Sequence, residues 1–330
     1  MFLWYLLFFL LLQVLIFYVV ANFIAAKLID IVLNRDNKLS KSFRQKKVSN
    51  RVLDLYPDVL TQEKMEINQG EEFWQRGQAV QVVSHDGLRL AGSVFNQSNE
   101  SQDWVIALHG YRSTGKKDMA YVGHQYFNKG YNVLIPDLRG HGASEGKVIG
   151  MGWLDRLDLL TWINWLVTNF PKAKIVLHGG SMGAATVLMT SGEKLPSNVY
   201  ALVSDSAFTS AYSECEHVLK DIMHFPSFPL MPAANHQSKK FAGYQLKEAS
   251  ATKQVASNHL PLLLIHGSAD HFVPIDCALN LQEATVGPCE FLEIKEAGHL
   301  TGMTIEPQLY WQTVFDFLKR QNKNKSSKKS

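Results

Sequence analysis

Five consecutive residues, Gly179-Gly180-Ser181-Met182-Gly183, constrain this chain more tightly than any other stretch. Before them, KIVLH (174–178) is a short apolar run with the length and β-branching of a buried strand. After them, AATVLMTS (184–191) reads as the apolar face of a helix. Strand, sharp turn and helix, with a serine at the apex and glycines two residues to either side, is the G-x-S-x-G nucleophile elbow. The spacing has a steric cause: the serine sits in a strained backbone conformation that lifts its hydroxyl off the sheet, so both flanking positions must lack bulk. Ser181 is therefore the candidate nucleophile, and the turn fixes a strand-to-helix crossover at its core.

The surrounding chain extends that alternation. Residues 79–84 and 88–95 are two β-rich runs joined by Asp86-Gly87, a strong hairpin signal. Strand-like runs follow at 104–108, 132–135, 199–204, 260–265 and 290–294, with helical patterns at 117–129, 153–169 and 307–320, the last opened by Pro307. Strands alternating with helices predict a mostly parallel sheet covered on both faces, with the opening hairpin as its antiparallel edge. The alternation stops between 207 and 258. That interval holds helix-like 212–223, the proline-broken run FPSFPLMP (225–232) and helix-like 239–254. Prolines in an apolar run argue against a continuing helix or a central strand. The interval reads as a small cap over the carboxyl ends of the strands, where open α/β sheets bind ligands.

No charged side chain occurs from Met1 to Ala26, and that run is long enough to cross a hydrocarbon core of about 30 Å. A transmembrane anchor over 1–26 is expected. A cleaved signal peptide competes, since Val19-Val20-Ala21 resembles a small-residue cleavage site, but a basic n-region is missing and the apolar part is too long. Lys27, Arg35, Lys38, Lys41, Arg44, Lys46 and Lys47 follow the span, and the positive-inside rule then favours a cytoplasmic catalytic domain, although long domains translocate despite such bias. Residues 27–76 read as a juxtamembrane linker ending in a short helix near 71–75. Residues 321–330 (QNKNKSSKKS) read as a basic, solvated or disordered tail. With 330 residues, 46% hydrophobic and 19% charged, the chain suffices for one large core plus an appendage. No basic stripe with interleaved aromatics suggests nucleic acid. Cys215, Cys277 and Cys289 form neither a disulfide framework nor a C-x-x-C pair.

A serine hydroxyl needs a base to take its proton, and the base needs a carboxylate to fix its tautomer. In this architecture the chain order is Ser, acid, His. His299, in Glu296-Ala297-Gly298-His299, follows the last strand, and Asp270, in His266-Gly267-Ser268-Ala269-Asp270, follows the strand before it. Both fall on the same rim as the elbow. His85, His109, His141, His178, His266 and His271 are rival histidines without that order and loop, and Asp205, at the end of the strand after the elbow, is a rival acid. The oxyanion needs two backbone N–H donors: Met182, after the nucleophile at a helix N-terminus, and Tyr111, in the loop after strand 104–108. Phe225, Phe228, Leu230 and Met231 suggest an apolar substrate pocket.

The motifs HGY, DLRGHGASEG, GGSMG, HGSADHFVP and EAGH, in this order, resemble the α/β-hydrolase superfamily. More narrowly they resemble bacterial serine hydrolases similar to the prolyl-oligopeptidase-like and BEM46-like groups. The resemblance spans residues 78–320. It implies the α/β-hydrolase fold, with catalytic segments 77–206 and 259–320 and a cap at 207–258, and a conformational rather than catalytic role for Gly140-His141-Gly142. HGY departs from the HGGG loop of many lipases and esterases. The combined reading is a membrane-anchored serine hydrolase of small acyl esters, needing no metal or organic cofactor. The alternatives are an aminopeptidase, with Glu214, Glu216 or Glu248 pairing a substrate ammonium, and a catalytically silent tethered interaction protein.

Overall fold

The aliphatic runs of the sequence assemble into one eight-stranded sheet in a computed structural model that describes residues 1–39, 57–97 and 101–327. Its strands are β1 (Gln78–Val83), β2 (Arg89–Phe95), β3 (Asp103–Leu108), β4 (Asn132–Pro136), β5 (Lys174–Gly180), β6 (Val199–Asp205), β7 (Leu262–Gly267) and β8 (Cys289–Ile294). They lie in the order β1-β2-β4-β3-β5-β6-β7-β8. β2 pairs antiparallel with β1 and β4, and every other pairing is parallel. β5, which delivers Ser181, sits between β3 and β6 and is buried from its second residue onward.

Side chains alternate across such a sheet, and each face has its own cover. The helices are α1 (Phe2–Leu33), α2 (Pro57–Trp74), α3 (Gly115–Asn128), α4 (Asp155–Asn169), α5 (Met182–Thr190), α6 (Ala211–His217), α7 (Leu230–Ala242), α8 (Ala251–Val255), α9 (Asp276–Ala284), α10 (Gly302–Ile305) and α11 (Pro307–Ser327). On one face Ile106, Leu177 and Leu202 join Trp162 of α4 and Val187 of α5 in a single apolar cluster. On the other Val105, Val176 and Val203 join Tyr126 of α3 and Val314 of α11.

Four segments differ from expectation. The expected linker contains a full helix, α2, held by Phe73, which is buried and stacked on Phe95 at 4.2 Å. One aromatic anchor leaves no periodic pattern, which is why only its end was legible. Residues 40–56 of the linker lie outside the described residues. The expected disordered tail is helical as far as Ser327, because Asn322 bonds both Lys174 (3.3 Å) and Asp103 (3.4 Å) and carries α11 past Arg320. Residues 328–330 lie outside the described residues.

In the cap segment, α6 runs into a π turn, Val218–Ile222. α7 then begins at Leu230, so the proline run interrupts the chain only as far as Pro229. Pro232 falls in the first turn of α7, where a missing N–H leaves no helical bond unmade. The stretch expected as one helix over 239–254 is the end of α7, a left-handed Gly243 (φ 82°) and the short α8.

The N-terminal helix also outruns its expected end. α1 continues to Leu33, with Ala21, Ala25, Ile29 and Leu33 buried. Ala25, Ile29 and Leu33 share the main apolar cluster with Met231 and Ala234 of α7, and Gln237 Nε2 donates to Asn22 Oδ1 at 3.0 Å. Residues 1–20 are all exposed. The helix has a mean hydropathy of 2.5 over its apolar window and is long enough to cross a membrane.

Candidate active site

Ser181 stands between the last residue of β5 and the first of α5, with φ 56° and ψ −119°. That conformation costs about 1–3 kcal/mol and persists only where neighbours hold it. Here Ser181 N–H donates to Asp205 O (2.8 Å), and Ser181 O accepts the Ala185 N–H of α5 (2.9 Å). The flanking glycines have the steric reason inferred from the sequence. A Cβ on Gly179 would stand 2.3 Å from the Gly183 backbone, and one on Gly183 would stand 2.1 Å from Leu108 O.

The loops after β7 and β8 bring the other two groups to the serine. Asp270 Oδ1 accepts the N–H groups of Phe272 (3.0 Å) and Val273 (2.9 Å), which locks the carboxylate in its loop. Its Oδ2 lies 2.7 Å from His299 Nδ1, and His299 Nε2 lies 2.9 Å from Ser181 Oγ. A carboxylate only accepts, so Nδ1 carries the proton and Nε2 is free to accept from the hydroxyl. Ser181 and Asp270 are buried, while His299 is partly open, with the Phe272 ring 5.1 Å from it. The row is thus dry at the carboxylate and accessible at the imidazole.

The rivals are engaged elsewhere. Asp205 accepts from Tyr310 Oη (2.9 Å) and Ser206 Oγ (2.9 Å). Burial pushes its pKa above the ordinary carboxylate range against the pull of those two bonds. His178 lies in the core with Nδ1 at 3.0 Å from Tyr126 Oη, and burial holds its pKa down at about 3. His266 Nε2 donates to Val273 O at 2.8 Å and flanks Asp270 from the far side, Nε2 to Oδ2 3.5 Å. His85 and His271 are exposed.

Tyr111 and Met182 each keep a backbone N–H that no protein group accepts among the described residues. Met182 opens α5 beside the serine. The Tyr111 loop reaches the same place: a Cβ on Gly110 would be 3.3 Å from Ser181 Cβ. Asp118, in the first turn of α3, accepts the Gly110 N–H (3.0 Å) and the Ser113 hydroxyl, tying the loop to the helix that follows it. Gly140-His141-Gly142 supports this loop from outside. His141 Nε2 accepts the Arg112 N–H at 2.9 Å, and its Nδ1 donates to Arg139 O at 2.9 Å. Burial, reinforced by His109, holds the His141 pKa down at about 3, so the imidazole remains an acceptor. A histidine between two glycines carries no sequence sign of that contact.

Of the expected pocket residues, Met231 is buried in the main apolar cluster, Leu230 is half-buried against it, and Phe225 and Phe228 are 53% and 75% exposed. The four therefore do not line one pocket. Met231 faces inward because α7 begins before it and turns it toward α1. Phe272, two residues past the acid, is the aromatic that reaches the histidine; its place in HGSADHFVP was the available signal.

Two further carboxyl groups matter to the electrostatics. Glu214 of α6 is buried, its Oε1 has no partner among the described residues, and burial together with Asp270 pushes its pKa up to about 8. His85, Asp86 and Asp158 bring three potential metal-ligand atoms together. The buried Arg139 guanidinium already spans both carboxylates, at 2.6 Å from Asp158 and 2.9 Å from Asp86. Despite partial burial, which pulls upward, those bonds hold Asp86 at about 2.

The strand order, the elbow after β5 and the helical insertion between β6 and β7 define an α/β hydrolase. The chain belongs to the α/β-hydrolase superfamily and is a hydrolase. The family described as serine aminopeptidase, S33, matches residues 99–238. Protein YqkD of Bacillus subtilis is 29% identical over 226 residues, covering 68% of this chain and 73% of that one. Protein YfhR of Escherichia coli K12 is 26% identical over 257 residues, covering 76% and 82%. Both carry the description "uncharacterized". A solved esterase of Pyrococcus furiosus superposes with a TM-score of 0.61 at 28% identity, covering 74% of this chain and 91% of that one.

Proposed function

We propose that this chain is a membrane-anchored serine hydrolase that cleaves carboxylic esters. One observation carries the reading: the His299 ring bridges Ser181 Oγ at 2.9 Å and Asp270 Oδ2 at 2.7 Å. Ser181 Oγ attacks the ester carbonyl while His299 Nε2 takes its proton, and the buried Asp270 carboxylate offsets the imidazolium charge. The tetrahedral oxyanion is held by the Tyr111 and Met182 N–H groups, the second reinforced by the start of α5. Collapse breaks the bond to the alkoxy oxygen, which receives the proton from His299 and leaves as alcohol. Water then repeats the sequence on the acyl-enzyme, releasing acid and restoring the serine. None of these steps calls for a metal or organic cofactor.

The test is turnover of short p-nitrophenyl esters by wild type and Ser181→Ala, with fluorophosphonate labelling alongside. Loss of both in the variant is expected; full turnover by Ser181→Ala would refute the assignment. α1 supports the anchor through its length and apolarity. Retention of the full chain in carbonate-washed membranes is the expected behaviour, and release as soluble protein would overturn it.

A peptidase reading has one observation in its favour. The buried Glu214 carboxyl, pushed up to about 8 by burial and by Asp270, lies near the acid of the row, and a substrate ammonium placed beside it would offset that shift and draw out its proton. Side-by-side rates on aminoacyl amides and simple acyl esters decide between the two. Absence of labelling in wild type would favour a silent interaction protein.

A further inference from the structure

We infer that the last turn of α1 is part of the active site: Arg112 and the Tyr111 hydroxyl are positioning groups through which the N-terminal helix holds the Tyr111 N–H in place. This rests on the serine-hydrolase reading above. A helix end leaves four carbonyls without helical partners. In α1 these are Asp30, Ile31, Val32 and Leu33, and only the first is satisfied locally, by Asn34 N–H at 3.1 Å. Ile31 O accepts from Arg112 Nη2 (3.0 Å), Val32 O from Tyr111 Oη (2.7 Å), and Leu33 O from Ile149 N–H (2.8 Å). The oxyanion loop therefore serves as the C-cap of the apolar helix.

Arg112 adds bonds to Asn34 O (2.7 Å), Arg35 O (3.2 Å) and the Tyr111 hydroxyl (2.9 Å). Its positive fork sits where the helix dipole is negative, the favourable arrangement. On the opposite side its backbone N–H is held by His141 Nε2, and its own φ is 53°, a left-handed value that a side-chain-bearing residue adopts only under constraint. The loop is thus clamped from both sides, by α1 and by His141. Arg35 closes the same joint from the helix side, donating to Ser144 O (2.6 Å) and Gly142 O (2.7 Å).

The consequence for chemistry follows from tolerance. Oxyanion donors act at about 2.7–3.1 Å, and a displacement of about 1 Å can cost roughly 10²-fold in rate. Only the Tyr111 peptide lies between the Arg112 clamp and Gly110, where an added Cβ would stand 3.3 Å from Ser181 Cβ. Undocking α1 then moves the donor without touching the Ser181, His299 and Asp270 row.

The experiment uses the full chain in detergent micelles, with kcat and KM on a short p-nitrophenyl ester and the urea midpoint for each variant. Tyr111→Phe deletes the hydroxyl but keeps the N–H. Arg112→Lys keeps the charge but loses the fork. Ala25→Arg loads a fully buried position of α1, remote from the loop. We expect kcat to fall about 10-fold or more in Tyr111→Phe and Ala25→Arg, and less in Arg112→Lys, with KM within about twofold of wild type. An active wild type, an inactive Ser181→Ala and wild-type kcat in Tyr111→Phe would overturn this inference while sparing the parent reading. So would variants that lower only the urea midpoint, since that is what a purely structural contact does. Full turnover by Ser181→Ala instead removes the parent reading.

Discussion

Glu214→Gln should change the pH dependence of stability more than any other neutral substitution in the cap. The carboxyl is buried, its Oε1 has no partner among the described residues, and burial with Asp270 carries its pKa from an ordinary 4.5 to about 8. The folded chain thus keeps this proton where the unfolded chain has lost it. The stabilisation is complete below pH 4.5, falls between pH 4.5 and 8, and is gone above 8. Such a displacement corresponds to about 4–5 kcal/mol, or roughly 6–7 °C in Tm for a chain of this size. Glutamine never ionises, so the variant lacks this loss. Urea unfolding of both proteins in one detergent, at pH 4.5, 6, 7 and 8.5, isolates the effect. Buried Asp155, pushed up to about 7 by burial and by Asp158, titrates in the same window but cancels in the difference. Unsatisfied amide hydrogens in the variant add a constant offset, so the slope is what is read. Parallel stability profiles for the two proteins would show that Glu214 ionises freely in the folded state.

The two buried acids can be separated by substitution. Asp270→Asn is expected to lower kcat by about 10³–10⁴-fold because the amide selects the wrong histidine tautomer, whereas Asp205→Asn, which contacts Tyr310 and Ser206, should retain kcat within a few fold; equal losses in steady-state kinetics would contradict the assignment. Gly183→Ala forces a Cβ to 2.1 Å from Leu108 O, and a loss of at least about 3 kcal/mol in urea unfolding, or failure to accumulate, is expected. An alanine at 183 with wild-type stability would mean that the elbow is less closely packed than its backbone contacts imply.

What the sequence made legible was local chemistry with a fixed geometric meaning. The elbow demanded glycines at 179 and 183, the Asp86-Gly87 pair demanded a hairpin, and the order of Ser181, Asp270 and His299 placed three groups at strand ends. The structure brings those three together. Features set by a single contact were not legible. Phe73 anchors α2 without a periodic stripe, and Asn322 prolongs α11 through two hydrogen bonds. Pro232 looked like a breaker because its position in the first turn of α7 depends on where that helix starts. The role of His141 depends on the Arg112 backbone N–H, 29 positions earlier in the sequence, rather than on any motif, and the capping of α1 by Arg112 joins residues far apart in the chain.

A continuous helix of 32 residues measures about 48 Å, whereas a hydrocarbon core is about 30 Å thick. For an anchored chain the difference is a stiff post, not a flexible leash, and its inner end is bolted to the catalytic body through Arg112 and Arg35. A body mounted in this way would turn with its helix rather than swing on a loose tether. If α1 spans a bilayer, the tilt of that one helix would set which direction the serine faces relative to the lipid surface, and with it the bearing along which substrates arrive.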